Sequence, residues 1–210
     1  MNLVETFGRR FARIATDAVV RRPSLWRLFR RPLAYQFDRL APNWKAVVKP
    51  DHLAPLEAAL DALDAVPRRV LDLGTGTGAA ARLLAVRWPD AEVTGVDLAE
   101  RMVEEARRQT PPELADRVRF QVGDADHLAF EDGAFDLVVL ANMIPFFDEL
   151  ARVVAPGGSV AFAFSSGADT PIYVPFERIR RELEPRGFTH FADFSTGRGS
   201  ALLATKRTQS

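Results

Sequence analysis

From Pro67 onward, short apolar runs alternate with stretches of helical periodicity, and this alternation restricts the possible folds more than any other feature. It is typical of strand–helix–strand units, in which parallel strands form one sheet with helices on both faces. The seven predicted strands are 69–73, 91–97, 117–122, 135–140, 159–164, 188–194 and 200–206. The helices predicted between them are 77–88, 99–109, 146–154 and 174–186.

The last two predicted strands are joined by STGRG, which is too short for a crossover helix. Strands joined by so short a link pair antiparallel, and this pair should lie at one edge of the sheet. The sequence therefore predicts an α/β fold with a seven-stranded, mostly parallel, doubly wound sheet whose last strand is antiparallel.

Residues 1–66 differ in pattern and are predicted to form an N-terminal helical extension, or cap, on a cofactor-binding domain at 67–210. Apolar residues recur at helical spacing from Leu3 to Ala18, which predicts an amphipathic helix. Prolines restart or end the helices that follow, and one more helix is predicted at 53–65. The prolines in question are Pro23, Pro32, Pro42, Pro50 and Pro55.

Composition excludes several classes of protein. The chain has no cysteine, so disulfides, thiolate metal sites and cysteine nucleophiles are excluded and a reducing cytoplasm is the expected location. No apolar run approaches the ~18 residues that a transmembrane helix needs. Residues 1–49 hold eleven basic and three acidic side chains, a net charge of +8, so the rest of this neutral chain carries −8.

The glycine-rich run VLDLGTGTG, at 70–78, lies where the first strand turns into its helix. Glycine accepts positive φ there and lets the backbone approach a ligand, while free N–H groups of the next helix point toward it. By itself, such a turn also occurs for purely structural reasons. Asp97 ends the second strand ~20 residues later, where a carboxylate reaches a ribose in nucleotide-binding folds. Together they predict a site for an adenosine-containing cofactor.

The series VLDLGTGTG, GVDLAERM, GDADHLAFEDGAFDLVVLANM and RVVAPGG resembles the class I S-adenosylmethionine-dependent methyltransferases over about residues 67–206. The resemblance implies S-adenosylmethionine as cofactor and methyl transfer as the activity. It also implies that the methionine end is held by the first strand and its turn, with an amide just past the fourth strand facing the methionyl part. The residues concerned are Asp72, Gly74, Thr75, Gly76, Gly78 and Asn142.

For the adenosine end, the resemblance implies that Asp97 takes the two ribose hydroxyls and that Leu98 and Met102 flank the adenine. Asp124 would accept a hydrogen bond from the exocyclic amine, and the Ala125 N–H would donate to a ring nitrogen. Residues ahead of the first strand are candidates to cover the cofactor: Tyr35, Phe37 and Trp44. Packing of these three aromatic side chains on the sheet explains them equally well.

A nicotinamide-dependent oxidoreductase is the alternative enzyme, because it shares a glycine turn and an acid after the second strand. Three features argue against it. The run is G-x-G-x-G, with Ala79 in place of a later glycine; Asp72 lies inside the first strand; and the motifs from GDAD to PGG have no counterpart in the dehydrogenase pattern.

The sequence does not identify a catalytic base, and one is needed only if the acceptor is protonated. His52, His127 and His190 are the only histidines, and their spacing indicates no metal site. ANMIPFF departs from the pattern typical of DNA adenine and protein glutamine methylation, which argues against those substrates. The expected acceptor is therefore a small or lipid-like molecule.

The segment RRPSLWRLFRRP interleaves arginine with apolar side chains, as suits an anionic membrane or an RNA backbone. A solvated basic face that pairs with the acidic remainder of the chain explains the same pattern. The alternative function is therefore a peripheral membrane- or RNA-docking protein that keeps the cofactor fold as a scaffold. The oligomeric state is not predicted.

Overall fold

A computed structural model describes residues 3–48 and 51–208, with side chains from Gly8 onward in the first helix. Seven strands form one sheet in the order β3-β2-β1-β4-β5-β7-β6. Strand β7 pairs antiparallel with β5 and β6, whereas the other neighbours are parallel. The strands are β1 Arg69–Leu73, β2 Glu92–Asp97, β3 Val118–Val122, β4 Phe135–Ala141, β5 Val154–Phe164, β6 Phe188–Thr196 and β7 Gly199–Lys206. The predicted fold class, including the antiparallel pair at one edge, is confirmed.

The α-helices of the described residues are α1 Leu3–Arg21, α2 Trp26–Leu40, α3 Trp44–Val47, α4 Ala54–Leu60, α5 Ala79–Arg87, α6 Glu100–Gln109, α7 Phe147–Val153 and α8 Phe176–Leu183. Most boundaries agree with the predicted ones to within three residues. Helix α4 ends at Leu60 and not at residue 65, and strand β5 begins at Val154 and not at residue 159. Its register against β4 is irregular before Leu137 pairs with Ser159, where the chain passes through Pro156 and two glycines.

The predicted break at Pro32 is wrong, because α2 continues through this residue to Leu40. Proline removes the N–H that would bond to the carbonyl four residues earlier, at Leu28. Both Pro32 and Leu28 are exposed, so the carbonyl that loses its partner lies on the solvent side of the helix. Pro50 lies outside the described residues.

Each face of the sheet has its own buried core, because successive side chains of a strand point to opposite faces. In β4, Leu137 and Val139 belong to one core with α4 and α5. Val138 and Leu140 belong to the other, which includes side chains of α7 and α8. The N-terminal helices contribute to this second core through Ala15, Val19, Trp26 and Leu33. Helices α1 and α2 are therefore packed onto the sheet and reach the edge where the strands end.

Candidate functional site

A cavity of about 390 Å³ opens at the carboxyl ends of β1, β2 and β4. In the strand order, β1 and β4 are neighbours and the chain leaves them toward opposite sides of the sheet. Open α/β sheets bind their ligands at such a switch point. The cavity lining also includes side chains from the inner faces of α1 and α2, so the N-terminal helices form one wall.

The glycine turn forms the floor of this cavity. Gly74, Gly76 and Gly78 all have positive φ, at 74°, 53° and 80°. The N–H groups of Gly74 and Thr75 donate to the Val96 carbonyl at 2.8 and 3.0 Å, which anchors the turn to β2. A side chain at Gly74 would collide with Met143, which packs directly against the turn and also lines the cavity. The turn thus needs glycine for its backbone conformation and for close approach.

The residues of the turn do not all reach the cavity. Gly74, Thr75 and Gly76, which are expected to hold the cofactor, line it, and Thr77 does so as well. Gly78 lies outside the lining and caps the start of α5, where a Cβ would lie 2.8 Å from the Phe120 ring. Glycine at position 78 therefore allows α5 to begin close to the Phe120 side chain of β3.

Asp72 lies at the bottom of the cavity and is almost completely buried. Its Oδ2 accepts a hydrogen bond from the Thr75 hydroxyl at 2.6 Å, whereas its Oδ1 has no hydrogen-bond partner within the described chain. Burial raises the pKa of Asp72 to about 6, although the Thr75 hydrogen bond and the nearby Ala81 N–H, which is too far or too poorly aligned for a regular hydrogen bond, lower it. A buried carboxylate oxygen without a partner is costly, and a cationic ligand group would relieve that cost.

Asp97, at the end of β2, lies at the other end of the glycine turn. Its Oδ2 accepts from the Gly76 N–H at 2.8 Å and its Oδ1 from the Ala99 N–H at 2.9 Å. Burial raises the pKa of this carboxyl, although both backbone hydrogen bonds lower it. Each carboxylate oxygen has more than one lone pair, so both can still accept from a vicinal diol.

Asp97 accepts from backbone N–H groups, whereas Asp124 is bound by side chains of α2. Its Oδ1 accepts from the Trp26 indole N–H at 2.6 Å, and its Oδ2 lies 3.3 Å from the Arg30 guanidinium. Asp124 is not part of the cavity lining, whereas its neighbours Gly123 and Ala125 are. Two side chains of α2 therefore already bind the carboxylate that was expected to accept from an adenine amine.

The remaining predicted cofactor residues come together around the cavity. Leu98 and Ala125 line it, and fully buried Met102 contributes from α6. Asn142 lines it just beyond β4, with a positive φ of 56°. Its Oδ1 accepts from the Ser165 N–H at 2.9 Å, which fixes the amide.

Of the three aromatic residues expected to cover the cofactor, Phe37 and Trp44 line the cavity and pack edge to face at 5.8 Å between ring centroids. The Trp44 indole nitrogen would lie 3.7 Å from a Cβ at Gly76. The expectation for Tyr35 is wrong, because its side chain is 64% exposed and points away from the cavity. It lies on the outer side of α2, since Phe37 is two residues, or about 200°, further round the helix.

Several lining residues are not expected at a cofactor site from the sequence. They are Trp26, Leu33, Leu40, Met143, Ile144 and His52. The α2 members had a detectable signal, because Trp26, Leu33, Phe37 and Leu40 recur at helical spacing on one face. The spacing indicates a buried face, but it does not indicate that the face covers a cavity.

We expect Trp26→Phe to lower the free energy of unfolding by ~1–3 kcal/mol, because it removes a hydrogen bond to a charged acceptor. Phenylalanine keeps an aromatic ring against Phe146, whose centroid is 5.1 Å from that of Trp26. Urea unfolding checks this value. The control is Trp88→Phe, since Trp88 is similarly buried but its indole makes no hydrogen bond within the described chain. Equal losses in both variants would contradict a role for the Asp124 contact.

Comparisons with known proteins agree with this geometry. Residues 70–158 match the family described as "Methyltransferase domain". A demethylmenaquinone methyltransferase of Thermus thermophilus is 46% identical over 104 residues, covering 46% of this chain and 47% of that protein. A malonyl-[acyl-carrier protein] O-methyltransferase of Geobacter sulfurreducens is 38% identical over 168 residues, covering 75% and 62%. The chain spans about half the length of the curated relatives it matches.

Among solved structures, the fold is similar to a chain in the complex between the Haloferax volcanii Trm112 methyltransferase activator and a methyltransferase. The TM-score is 0.69 at 21% identity, over 81% of this chain and 97% of that one. The matched segment 70–158 runs from β1 into β5 and contains the glycine turn, Asp97 and Asn142. Residues 70–158 therefore match a methyltransferase domain, and the fold of the chain is similar to that of the chain in the methyltransferase complex, in keeping with the resemblance seen in the sequence.

Proposed function

We propose that this chain transfers a methyl group from S-adenosylmethionine to a small or lipid-like acceptor. The observation that carries the proposal is the buried Asp72 carboxylate, whose Oδ1 lacks a partner at the bottom of the cavity. S-adenosylmethionine has a cationic amino group at one end and a ribose diol near the other. Asp72 fits the amino group and Asp97 fits the diol, and the glycine turn lies between them.

The chemistry that the cofactor supplies is a methyl group on a positively charged sulfur. Transfer is an in-line displacement, in which the acceptor atom bonds to the methyl carbon as the carbon–sulfur bond breaks and its electron pair returns to sulfur. The protein contributes position and exclusion of water, which can provide most of the rate. Met143 and Ile144, together with the inner face of α2, supply apolar walls for this purpose.

The cavity walls that would contact the acceptor are mainly apolar, which favours an acceptor with an apolar body. The apolar part of the lining includes Ala12, Leu33, Ile144 and Ile172, and polar side chains of the same lining include Arg9, Ser165, Ser166 and Thr170. Predominantly apolar walls bind an apolar body by burial, and the few polar groups among them fix its orientation. Two relatives are named for demethylmenaquinone and for malonyl-[acyl-carrier protein], and a lipid-like or acyl acceptor is in keeping with both names.

Residues 1–66 act in this proposal as a cap on a catalytic domain at 67–210. Arg13 of α1 donates to the backbone carbonyls of Tyr173 and Thr170, at 3.0 and 2.7 Å. These bonds hold α1 against the loop that leads into α8, next to the apolar end of the cavity. The cap thereby closes the acceptor side.

Isothermal titration calorimetry with S-adenosylmethionine and S-adenosylhomocysteine tests the cofactor assignment. We expect both to bind, and absence of binding to either would overturn the proposal. The acceptor is then sought by incubating a lipid extract and a water-soluble extract separately with methyl-labelled cofactor. Label confined to the water-soluble fraction would contradict a lipid-like acceptor.

We expect Trp44→Ala to weaken S-adenosylmethionine binding roughly 3- to 10-fold, because the indole lies over the glycine turn and lines the cavity. Tyr35→Ala is the matched control, since Tyr35 is an exposed aromatic residue of the same N-terminal region. Its affinity should stay at the wild-type value. Calorimetry on both variants checks the prediction, and equal effects would remove Trp44 from the site.

A further inference from the structure

The outward side of α2 combines basic and apolar side chains on one continuous face, which we call the outer α2 face. Its members are Arg27, Leu28, Arg31, Pro32, Tyr35 and Arg39. All six are exposed, and their spacing places them within one side of the helix, opposite buried Trp26 and Leu33.

The apolar members of this face are largely exposed. Leu28 and Tyr35 are 62% and 64% exposed and lie seven residues, or about two turns, apart, with Pro32 between them. Single exposed apolar residues are common, but an aligned row on one helix indicates contact with another apolar phase. An aliphatic side chain gains from entering a lipid interface and gains little from an RNA backbone.

The charges on this face have one sign. Arg27 and Arg31 form no ion pair within the described chain, and the Arg39 guanidinium lies 5.9 Å from the Tyr35 ring centroid. The single acid of α2, Asp38, is half-buried and accepts from the Arg101 N–H at 2.9 Å. The basic row is therefore not neutralised by acidic side chains of α2, and it is complementary to an anionic surface.

We propose that the outer α2 face docks on an anionic membrane surface, with Leu28, Pro32 and Tyr35 entering the interface and Arg27 and Arg31 contacting lipid headgroups. This is the arrangement of an interfacial amphipathic helix, which lies in the plane of the membrane. In residues 3–48 and 51–208 no helix is long and apolar enough to cross a bilayer.

The inner face of the same helix lines the cavity through Trp26, Leu33 and Phe37. Docking through the outer face brings the acceptor end of the cavity within one helix diameter of the lipid. An apolar acceptor would then pass between membrane and cavity without crossing much water. This last step rests on the proposed function, whereas the docking itself does not.

Co-sedimentation of the full chain with vesicles tests the docking. We expect binding to vesicles of phosphatidylglycerol mixed with phosphatidylcholine, weakening with added salt, and much weaker binding to phosphatidylcholine alone. Arg27→Glu/Arg31→Glu should lower vesicle affinity at least ~30-fold, since each arginine near the surface contributes about fivefold and each glutamate adds repulsion from the anionic lipid. Leu28→Ser/Tyr35→Ser should lower it also, with the salt dependence retained.

The matched control is Arg119→Glu/Arg181→Glu, which makes the same change in net charge at two exposed arginines on β3 and α8. It should bind vesicles almost as the wild type does. Equal loss in the control would mean that net charge alone drives binding and would overturn the proposal. Vesicle binding unchanged in Arg27→Glu/Arg31→Glu would also overturn it, as would retention on RNA without binding to vesicles.

Thermal unfolding of each variant shows whether it folds, and calorimetry with S-adenosylmethionine separates the two proposals. Loss of vesicle binding with wild-type cofactor affinity is the expected result for the two α2 variants. A wild-type chain that binds cofactor but not vesicles overturns the docking alone. A chain that binds vesicles but not cofactor overturns the proposed function alone.

Discussion

Replacing Asp72 by asparagine should stabilise the unliganded protein and, at the same time, abolish tight binding of S-adenosylmethionine. The buried carboxyl has a pKa of about 6, compared with 3.8 for a solvated aspartate. Above pH 6 the folded chain therefore carries a buried charge that the unfolded chain holds more easily. Each unit of pKa difference corresponds to about 1.4 kcal/mol, so asparagine could recover up to ~3 kcal/mol at pH 8.

The stability gained by Asp72→Asn should also depend on pH. Because the folded pKa is raised from 3.8 to about 6, the unliganded wild type loses stability as pH rises between these two values, and the cost disappears only well below pH 3.8, where both states are protonated. The difference in unfolding free energy between Asp72→Asn and wild type should thus be largest at pH 8 and shrink toward pH 4. Urea unfolding at several pH values measures it.

Cofactor binding should respond in the opposite direction. With asparagine the ligand amino group lacks a carboxylate partner, and loss of one member of a buried charge pair costs about 2–5 kcal/mol. Affinity for S-adenosylmethionine should fall at least ~30-fold. 5′-Methylthioadenosine has no amino acid end, so its affinity should not change. A variant that binds S-adenosylmethionine normally would remove Asp72 from the site.

Asp136→Asn is the matched control, since it makes the same substitution at the opposite end of the sheet. Asp136 is partly buried, which raises its pKa, but hydrogen bonds from Arg69 and from the Arg68 N–H lower it overall. A lowered pKa means that the carboxylate stabilises the fold above pH 4 and loses this contribution as pH falls. This variant should be less stable than wild type and bind cofactor equally well.

The two aspartates show what a sequence can and cannot reveal. That Asp72 lies inside an apolar strand is visible in VLDLG, so its burial could be predicted. That only one of its oxygens has a partner depends on the position of the Thr75 hydroxyl, which the turn geometry sets. The strands themselves were predictable because their apolar runs are short and bounded by turn residues.

The position of the N-terminal helices on the sheet could not be predicted from the sequence. The periodicity of α2 distinguishes an inner from an outer face, but it cannot show that the inner face covers the carboxyl edge of a sheet that begins ~30 residues later. The bond from Trp26 to Asp124 follows from that placement and was not predictable. For the same reason Tyr35 was expected at the cavity, although the helix directs it outward.

We expect Asp97→Ala to weaken S-adenosylmethionine and 5′-methylthioadenosine alike, by ~1–3 kcal/mol or about 5- to 150-fold. Both ligands carry the ribose, so a residue that accepts from its hydroxyls must affect both. The substitution also leaves the N–H groups of Gly76 and Ala99 without their carboxylate acceptor, and the glycine turn loses a restraint. Calorimetry with the two ligands measures the losses.

The affinities of the two variants for the two ligands show which aspartate binds which end of the cofactor. If Asp72 binds the amino acid end and Asp97 the ribose, Asp72→Asn affects one ligand and Asp97→Ala affects both. If Asp97 merely supports the turn, its loss should weaken S-adenosylmethionine more than 5′-methylthioadenosine, because the turn leads directly from Asp72. Equal losses of affinity for the two ligands therefore indicate that Asp97 binds the ribose. Unequal losses indicate that it only stabilises the glycine turn.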